Sequence, residues 1–295
     1  MVEKWYKKSE CAGKFWLDLS VYLVSVLPAF LLRIVIFFVT VFYYVVSKNN
    51  RLHIKEFYIN LNTFLGYNRR YMVYKNFYHF GVAICDKIAA YKNKIPYDSL
   101  LIDNKEYFYD ELLNKQKGQV LLMSHFGNVE VAKALSNKFE KLRVVAFVYQ
   151  KNSQHFLNMI EKISQKKIER IFVDDIDMEK ILALQNVVDS GGHIGIMGDR
   201  VDINGKNITI DFLGKSCSFP LGAFYIASIL KCEMSSLWCE KINGAYHICL
   251  EKIGENIERK SLEKYVKKYV HSLEKHVANN PTQWFSFYDF WRQND

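Results

Sequence analysis

The segment 125–130 (HFGNVE) contains a histidine and an acid, His125 and Glu130, at a spacing that suits base catalysis. The apolar run 119–124 (QVLLMS) before it predicts a buried parallel strand, and residues 131–135 (VAKAL) after it predict a helix. His125 then lies at the carboxyl end of a strand, where sites form in open α/β sheets. Its imidazole could take a proton from an attacking hydroxyl or amine, while the Glu130 carboxylate holds the tautomer and stabilises the imidazolium.

Gly127 and Asn128 shape the connection between this strand and helix. Gly127 allows a tight turn, and Asn128 is a good helix N-cap. Glu130 then falls in the first helical turn, where the helix dipole favours a carboxylate. A plainer interpretation stays open, in which His125 only ends a strand and Glu130 is only a helix-terminus charge.

A second polar pair, Asp199 and Arg200, follows the predicted strand 193–197. Parallel strands end at one edge of a sheet, so this pair is expected beside His125. Two interpretations are open: an ion pair that braces a loop, or direct contact with substrate. Arg200 is the candidate contact to an oxyanion or phosphate, with backbone amides near Gly127 as the alternative. The predicted substrate- and oxyanion-binding residues are Gly127, Asn128, Asp199 and Arg200.

Four segments, in this order, resemble the bacterial late lipid A acyltransferases of the glycerolipid acyltransferase superfamily, the lauroyl and myristoyl transferases of lipopolysaccharide assembly. Residues 124–130 (SHFGNVE) look like the family's His-x4-acid motif, and 197–200 (MGDR) look like its acidic motif after a later strand. Residues 210–222 resemble its Phe-x-Gly and Pro-x-Gly block, and 281–285 (PTQWF) its Pro-x-Gln-Trp signature. The resemblance covers residues 1–292, nearly the whole chain.

The resemblance implies transfer of a fatty acyl group from a thioester, on acyl carrier protein or coenzyme A, to a membrane lipid or glycolipid. The acceptor group is a hydroxyl or amine, and neither a cofactor nor a metal is expected. Transfer would be direct, because no activated nucleophile is evident. Val129 stands where the family commonly has tryptophan, and Arg200 where it often has glutamine. These departures suggest an outlying branch with an acceptor other than lipid A.

Composition fits a membrane enzyme with an anionic partner. Hydrophobic residues make up 50% of the chain and aromatic residues 15%, which is high for an ordinary soluble enzyme. The formal charge of +9 favours lipid headgroups or an acidic carrier protein. Nucleic acid is not an expected partner, because no zinc-finger spacing, RNP-like motif or dense basic helix occurs. Lys151, Lys166 and Lys167 are candidate docking positions for a carrier protein.

The N-terminal region is predicted to anchor the protein to a membrane. Two uncharged apolar runs, 19–32 and 34–47, flank Arg33. The combined stretch is long enough to span a bilayer, but a central arginine is costly in lipid and Pro28 should break the helix. One kinked span and two short helices in one leaflet both remain open, as does a buried helix pair of a soluble protein.

Two domains are predicted, a membrane-anchoring helical segment at 1–50 and an acyltransferase α/β domain at 51–295. The six cysteines show no Cys-x2-Cys pair or disulfide framework, which is typical of a reducing compartment. The predicted location is the bacterial inner membrane, with the catalytic domain on the cytoplasmic side.

The rest of the pattern predicts an α/β fold with a mostly parallel sheet and helices on both faces, because short apolar strands alternate with amphipathic helices. Asn243-Gly244 is a strong hairpin signal, so the sheet is expected to end in an antiparallel pair. His271 and His276, on a C-terminal helix, are expected to be solvated. The predicted strands are 120–123, 143–149, 168–173, 193–197, 235–242 and 246–252.

Two rival functions fit the same residues. One is a hydrolase in which His125 activates water on a thioester or lipid ester. The other is a non-catalytic lipid-binding protein of the membrane. Labelled acyl donor, with and without added lipid, would separate transfer from release.

Overall fold

A mostly parallel sheet of seven strands lies at the centre of the protein. The computed structural model describes residues 14–132, 139, 141–148, 154–164, 169–172, 177–201 and 205–292. The described strands, seven in this sheet and two (β6 and β7) in a smaller one, are β1 (Leu100–Ile102), β2 (Gln119–Met123), β3 (Val144–Val148), β4 (Arg170–Phe172), β5 (His193–Met197), β6 (Asn207–Phe212), β7 (Lys215–Pro220), β8 (Glu233–Ile242) and β9 (Ala245–Gly254).

The strand order is β1-β9-β8-β2-β5-β3-β4, and every neighbouring pair is parallel except β8 and β9. The apolar run of β2 lies in the middle, where both faces of a parallel strand are covered. Val120 and Leu122 belong to one core cluster, whereas Leu121 between them belongs to another. Because successive side chains point to opposite faces, helices cover both faces, as the sequence predicted.

The helices surround this sheet. Those of the N-terminal part are α1 (Lys14–Val26), α2 (Ala29–Val46), α3 (Lys48–Leu65) and α4 (Val73–Tyr91). Further helices span Lys105–Tyr109, Gln154–Ile163, Met178–Asp189, Gly222–Leu230 and Leu262–Asn279, with single turns of other helix types at Tyr97–Ser99, Asp110–Asn114, Arg259–Ser261 and Pro281–Gln283.

The hairpin predicted at Asn243-Gly244 is confirmed. Both residues have positive φ, 51° and 90°, as the two-residue turn of a twisted hairpin requires. The expectation that this antiparallel pair ends the sheet is wrong, because β1 pairs in parallel with the outer side of β9. With only three residues, β1 is too short to show a pattern.

A second, two-stranded sheet was not predicted. β6 and β7 form an antiparallel hairpin whose turn is Leu213-Gly214, with φ of 51° and 73°. The Leu213 N–H donates to Oε1 of Glu274 at 2.6 Å, which ties the turn to the helix Leu262–Asn279. The hairpin carries the segment that resembles the family's Phe-x-Gly and Pro-x-Gly block, and its Phe212 packs on Trp284.

Pro28 separates α1 from α2, as predicted. α2 has a mean hydropathy of 2.4 and only 11% of it is buried, so it is long and apolar enough to cross a membrane. Its buried residues Ile36 and Thr40 face α4, where a Cβ on Gly81 would lie 3.1 Å from Cγ2 of Ile36. The candidate anchor is thus packed against α4, and the division at residue 50 remains a prediction.

Candidate active site

His125 lies at the carboxyl edge of the sheet, beside the end of the neighbouring strand. β2 and β5 pair in parallel with Met123 opposite Met197, and the Gly198 N–H donates to the Met123 carbonyl at 2.9 Å. The next residues along the two strands therefore lie side by side. This register brings Asp199 to His125 across 74 residues of sequence.

Asp199 holds His125 through three contacts. Its Oδ2 accepts the backbone N–H of His125 at 2.8 Å, and Nδ1 of the ring lies 2.9 Å from Oδ1 and 3.1 Å from Oδ2. The Asp199 side chain is 1% exposed and the His125 side chain 26% exposed. An ionised carboxylate only accepts, so Nδ1 carries the proton and Nε2 keeps its lone pair. Such a ring is arranged to act as a base through Nε2.

The charges around the pair favour this protonation state. Burial, and then the positive charge of Arg200, lower the pKa of His125, although Asp199 and Glu130 oppose them. Burial works against ionised Asp199, but the charge and hydrogen bonds of His125 and the charge of Arg200 outweigh it, so the Asp199 pKa is lowered. At neutral pH the pair is therefore a neutral imidazole against a carboxylate.

A pH dependence follows from the lowered pKa of His125. The acid limb of kcat/KM reports the base of the free enzyme, and the base must be neutral to act. Activity should therefore persist as pH falls through about 6.5, the ordinary imidazole value, and be lost only below it. Measurement of kcat/KM across roughly pH 5–8 tests this. An acid limb of kcat/KM with an apparent pKa at or above the ordinary imidazole value would contradict the site described.

Glu130 occupies a different position from Asp199. It forms an ion pair with Lys87, and its side chain is 29% exposed. Among the described residues no hydrogen bond joins Glu130 to His125, and the effect of Glu130 on the His125 pKa is smaller than those of Arg200 and Asp199. The position at Nδ1, which the sequence assigned to Glu130, is taken by Asp199. A catalytic role for Glu130 remains a prediction.

The turn after His125 requires glycine. Gly127 has a φ of +66°, and a Cβ there would lie 2.2 Å from the Cys239 carbonyl oxygen. Asn128 follows, and residues 129–132 are helical, which agrees with the predicted start of a helix. The Asn128 side chain, however, donates to the Ala83 carbonyl at 2.8 Å. It thus fastens the turn to α4.

The backbone amides of Gly127 and Asn128 are already used inside the protein. The Gly127 N–H donates to the Gln283 carbonyl at 2.9 Å, and the Asn128 N–H to the Cys239 carbonyl at 2.7 Å. These amides therefore have no donor left for a developing oxyanion. Arg200 remains a candidate for that contact.

The segment 281–285 supports the His125 loop, a role that the sequence did not reveal. Phe126 and Trp284 form an antiparallel bridge, and the Phe285 N–H donates to the His125 carbonyl at 3.1 Å. The Gln283 side chain accepts from the Lys241 N–H at 2.8 Å and donates to its carbonyl at 3.0 Å. The C-terminal signature thus joins the His125 loop to β8. No local pattern could show a pairing over such a separation.

Tyr288 is a second residue that the sequence did not single out. Its ring lies under the Arg200 guanidinium, whose carbon is 5.5 Å from the ring centroid. The phenol is buried, which raises its pKa. The Tyr288 side chain therefore stays neutral next to the charges of Arg200 and Asp199.

One group of potential metal ligands occurs among the described residues: His53, Glu56 and Asp289. Asp289 already accepts the Arg292 N–H at 3.3 Å, and Nη1 of Arg292 lies 3.9 Å from its other oxygen. A cation thus faces this carboxylate already, and we assign no metal to the group. The expectation that the reaction uses no metal remains a prediction.

The comparison with known proteins agrees with the motifs that this edge of the sheet brings together. No curated protein sequence matches the chain significantly. The profile of the bacterial lipid A biosynthesis acyltransferases matches residues 7–293, nearly the whole chain. The chain therefore belongs to the bacterial lipid A biosynthesis acyltransferase family.

Proposed function

We propose that this acyltransferase moves a fatty acyl group from a thioester, on acyl carrier protein or coenzyme A, to a hydroxyl or amine of a membrane lipid or glycolipid. Membership of the family supports acyl transfer to a lipid A-like acceptor. The observation that carries the mechanism is the contact of His125 Nδ1 with buried Asp199 at 2.9 Å. It leaves Nε2 as the basic atom.

In the proposed reaction, Nε2 of His125 takes the proton of the acceptor hydroxyl as its oxygen attacks the thioester carbonyl carbon. The carbonyl oxygen becomes an oxyanion, for which the Arg200 guanidinium is the candidate partner. Collapse breaks the carbon–sulfur bond, and the leaving thiolate takes the proton back from the imidazolium. An amine acceptor follows the same course.

Direct transfer is favoured over an acyl-enzyme because the described cysteines are poor nucleophiles. Burial raises the pKa of Cys85 and Cys249 to about 12 and that of Cys232 to about 11. Burial also raises the pKa of Cys217 and Cys239. Only the thiolate attacks, so none of these side chains is activated for covalent catalysis.

The rival functions are separated by one assay. Labelled acyl thioester is incubated with the detergent-solubilised protein, with and without a lipid acceptor. Acyl transfer gives labelled lipid only when acceptor is present, whereas a hydrolase releases labelled fatty acid in both cases. A lipid-binding protein without catalytic activity leaves the thioester intact.

We further propose that the N-terminal helices hold the enzyme at the bacterial inner membrane, with the site on the cytoplasmic side. Full-length protein should sediment with membranes, and glutamate at both Phe38 and Phe42 should release much of it. Both side chains lie on the exposed face of α2, at 66% and 61% exposure, and a charge there opposes burial in lipid. Leu182→Glu, at an exposed apolar position on another helix, is the control.

Removal of residues 1–47 is a harsher form of this test. It should release the protein or make it insoluble, because it uncovers the side of α4 that packs on α2, including Phe77, whose ring contacts that of Tyr44. A full-length chain that stays in solution without detergent would contradict the membrane proposal.

We propose acyl carrier protein as the donor partner on the basis of charge. The chain carries +9 and carrier proteins are acidic, so complementary charge should speed their encounter. The candidate positions Lys151, Lys166 and Lys167 lie outside the described residues. The transfer rate at low donor concentration should fall as the ionic strength is raised. Added salt shortens the distance over which charges attract, from about 8 Å to about 3 Å. A rate that ignores salt, or equal use of acyl-coenzyme A, would count against carrier docking.

A further inference from the structure

Tyr288 brings an aromatic ring to the catalytic edge from a distant part of the chain. Its side chain is buried, at 6% exposure. The guanidinium carbon of Arg200 lies 5.5 Å from the centroid of its ring. A cation within about 6 Å of a ring face is attracted by the negative charge of that face. The ring therefore restrains where the guanidinium can lie.

The backbone that carries Tyr288 is fixed relative to His125. Gln283 accepts the Gly127 N–H, and the Phe285 N–H donates to the His125 carbonyl. Nδ2 of Asn76, on α4, donates to the carbonyls of Pro281 and Trp284 at 2.9 and 3.3 Å. The ring thus belongs to the same rigid framework as the base.

We propose that Tyr288 is a positioning residue, whose ring holds the Arg200 guanidinium beside His125 where it meets the oxyanion of the tetrahedral intermediate. The inference rests on the proposed acyl transfer. Arg200 touches the reacting atoms in this account, and Tyr288 acts only through Arg200. A guanidinium that is already in place costs no reorganisation when charge develops, which is the basis of oxyanion stabilisation.

The position of Arg200 affects the pKa of His125, which can be measured. The charged and titratable groups facing the imidazole are Asp199 and Arg200 after β5, Glu130 from the helix after the turn, and Tyr269 and Tyr288 around Asp199. Among these, Arg200 lowers the pKa of His125, whereas Asp199 and Glu130 raise it. If Arg200 moves away, the pKa of His125 must rise.

The experiment compares Tyr288→Leu and Tyr288→Phe with the wild type. Leucine removes the ring, so kcat should fall by about 10- to 100-fold, as small misplacements of catalytic groups do, with a smaller change in KM. The acid limb of kcat/KM should shift to higher pH. Phenylalanine keeps the ring, so its acid limb should stay with that of the wild type.

Phe219→Leu is the matched control. Phe219 is fully buried and packs on Phe212 and Phe290. Its loss should destabilise the same part of the core while leaving the pH limb unchanged. Pentafluorophenylalanine at position 288 is the variant to use if Tyr288→Leu does not fold. It keeps the shape of the ring but reverses the charge of its face, and it should shift the limb as leucine does.

The pKa of His125 is also measured without activity, by carbon-13 NMR of histidine-labelled protein, with the resonance identified through its absence in His125→Ala. An unchanged His125 pKa in Tyr288→Leu and in the fluorinated variant would overturn the inference. So would an equal shift in Tyr288→Phe or Phe219→Leu. If the wild type instead shows no acyl transfer, the proposed function fails and the oxyanion contact of Arg200 fails with it, while the NMR titration still shows whether the Tyr288 ring holds Arg200 beside His125.

Discussion

His125→Ala is expected to lower the rate of acyl transfer by about 10²–10⁴-fold, the usual contribution of a general base. The ring supplies the atom that takes the acceptor proton, and in the described part of the chain His125 is the imidazole that Asp199 binds. The substitution also leaves Asp199 without one donor, although the His125 backbone N–H still binds it. The folded state should therefore survive with reduced stability.

His125→Asn refines the experiment, because its amide nitrogen can replace Nδ1 as a donor to Asp199 but cannot act as a base. Both variants should lose activity, and the asparagine variant should keep more of the wild-type thermal stability. His271→Ala is the control, since that side chain is 85% exposed. Transfer by His125→Ala within a few-fold of the wild type would remove His125 from the mechanism.

Asp199→Asn is expected to lower kcat by up to about 10⁴-fold, the loss seen when asparagine replaces the buried acid of a serine-protease triad. The amide can donate to Nδ1, which moves the ring proton to Nε2 and removes the base. Glu130→Gln should cost less, because Glu130 is paired with Lys87 and partly exposed. The ratio of kcat/KM between the two variants shows which carboxylate orients the His125 imidazole.

The opposite ranking would contradict the arrangement described. A loss for Glu130→Gln well above that for Asp199→Asn would return the orienting role to Glu130, as the His-x4-Glu spacing first suggested. Thermal unfolding of both variants must accompany the kinetics. Asp199 is buried, so its loss alone should also lower stability.

The sequence predicted that His125 and Asp199 lie at one edge of the sheet, but it did not predict the contacts between them. A histidine and an aspartate after two apolar strands are recognisable locally, and both lie at the carboxyl ends of β2 and β5. Their hydrogen bond, however, depends on β5 being the direct neighbour of β2. Strand order is set by tertiary packing over long separations, and no periodicity within either strand records it.

Of the two hairpins, only the one with a recognisable turn sequence was predicted. Asn243-Gly244 has the turn chemistry of a hairpin and was recognised. The hairpin of β6 and β7 turns at Leu213-Gly214, where a leucine takes a positive φ that its side chain disfavours. Tertiary contacts, including the Glu274 carboxylate at the Leu213 N–H, hold that turn.

The expected solvation of the two helix histidines was half right. His271 is exposed, but His276 is buried between two carboxylates, with Nδ1 3.1 Å from Glu240 and Nε2 3.3 Å from Glu251. These acids lie on β8 and β9, so the helix pattern alone could not place them. Hydrogen bonds and charge from both outweigh burial and raise the His276 pKa.

The most direct test of acyl transfer through His125 is mass spectrometry of membrane lipids from cells that express the wild type, the His125→Ala variant or neither. If His125 catalyses the transfer, one lipid or glycolipid gains the mass of a fatty acyl chain only with the wild type, which identifies acceptor and chain length together. An unchanged lipid profile, or the same gain with His125→Ala at equal protein level, would contradict it.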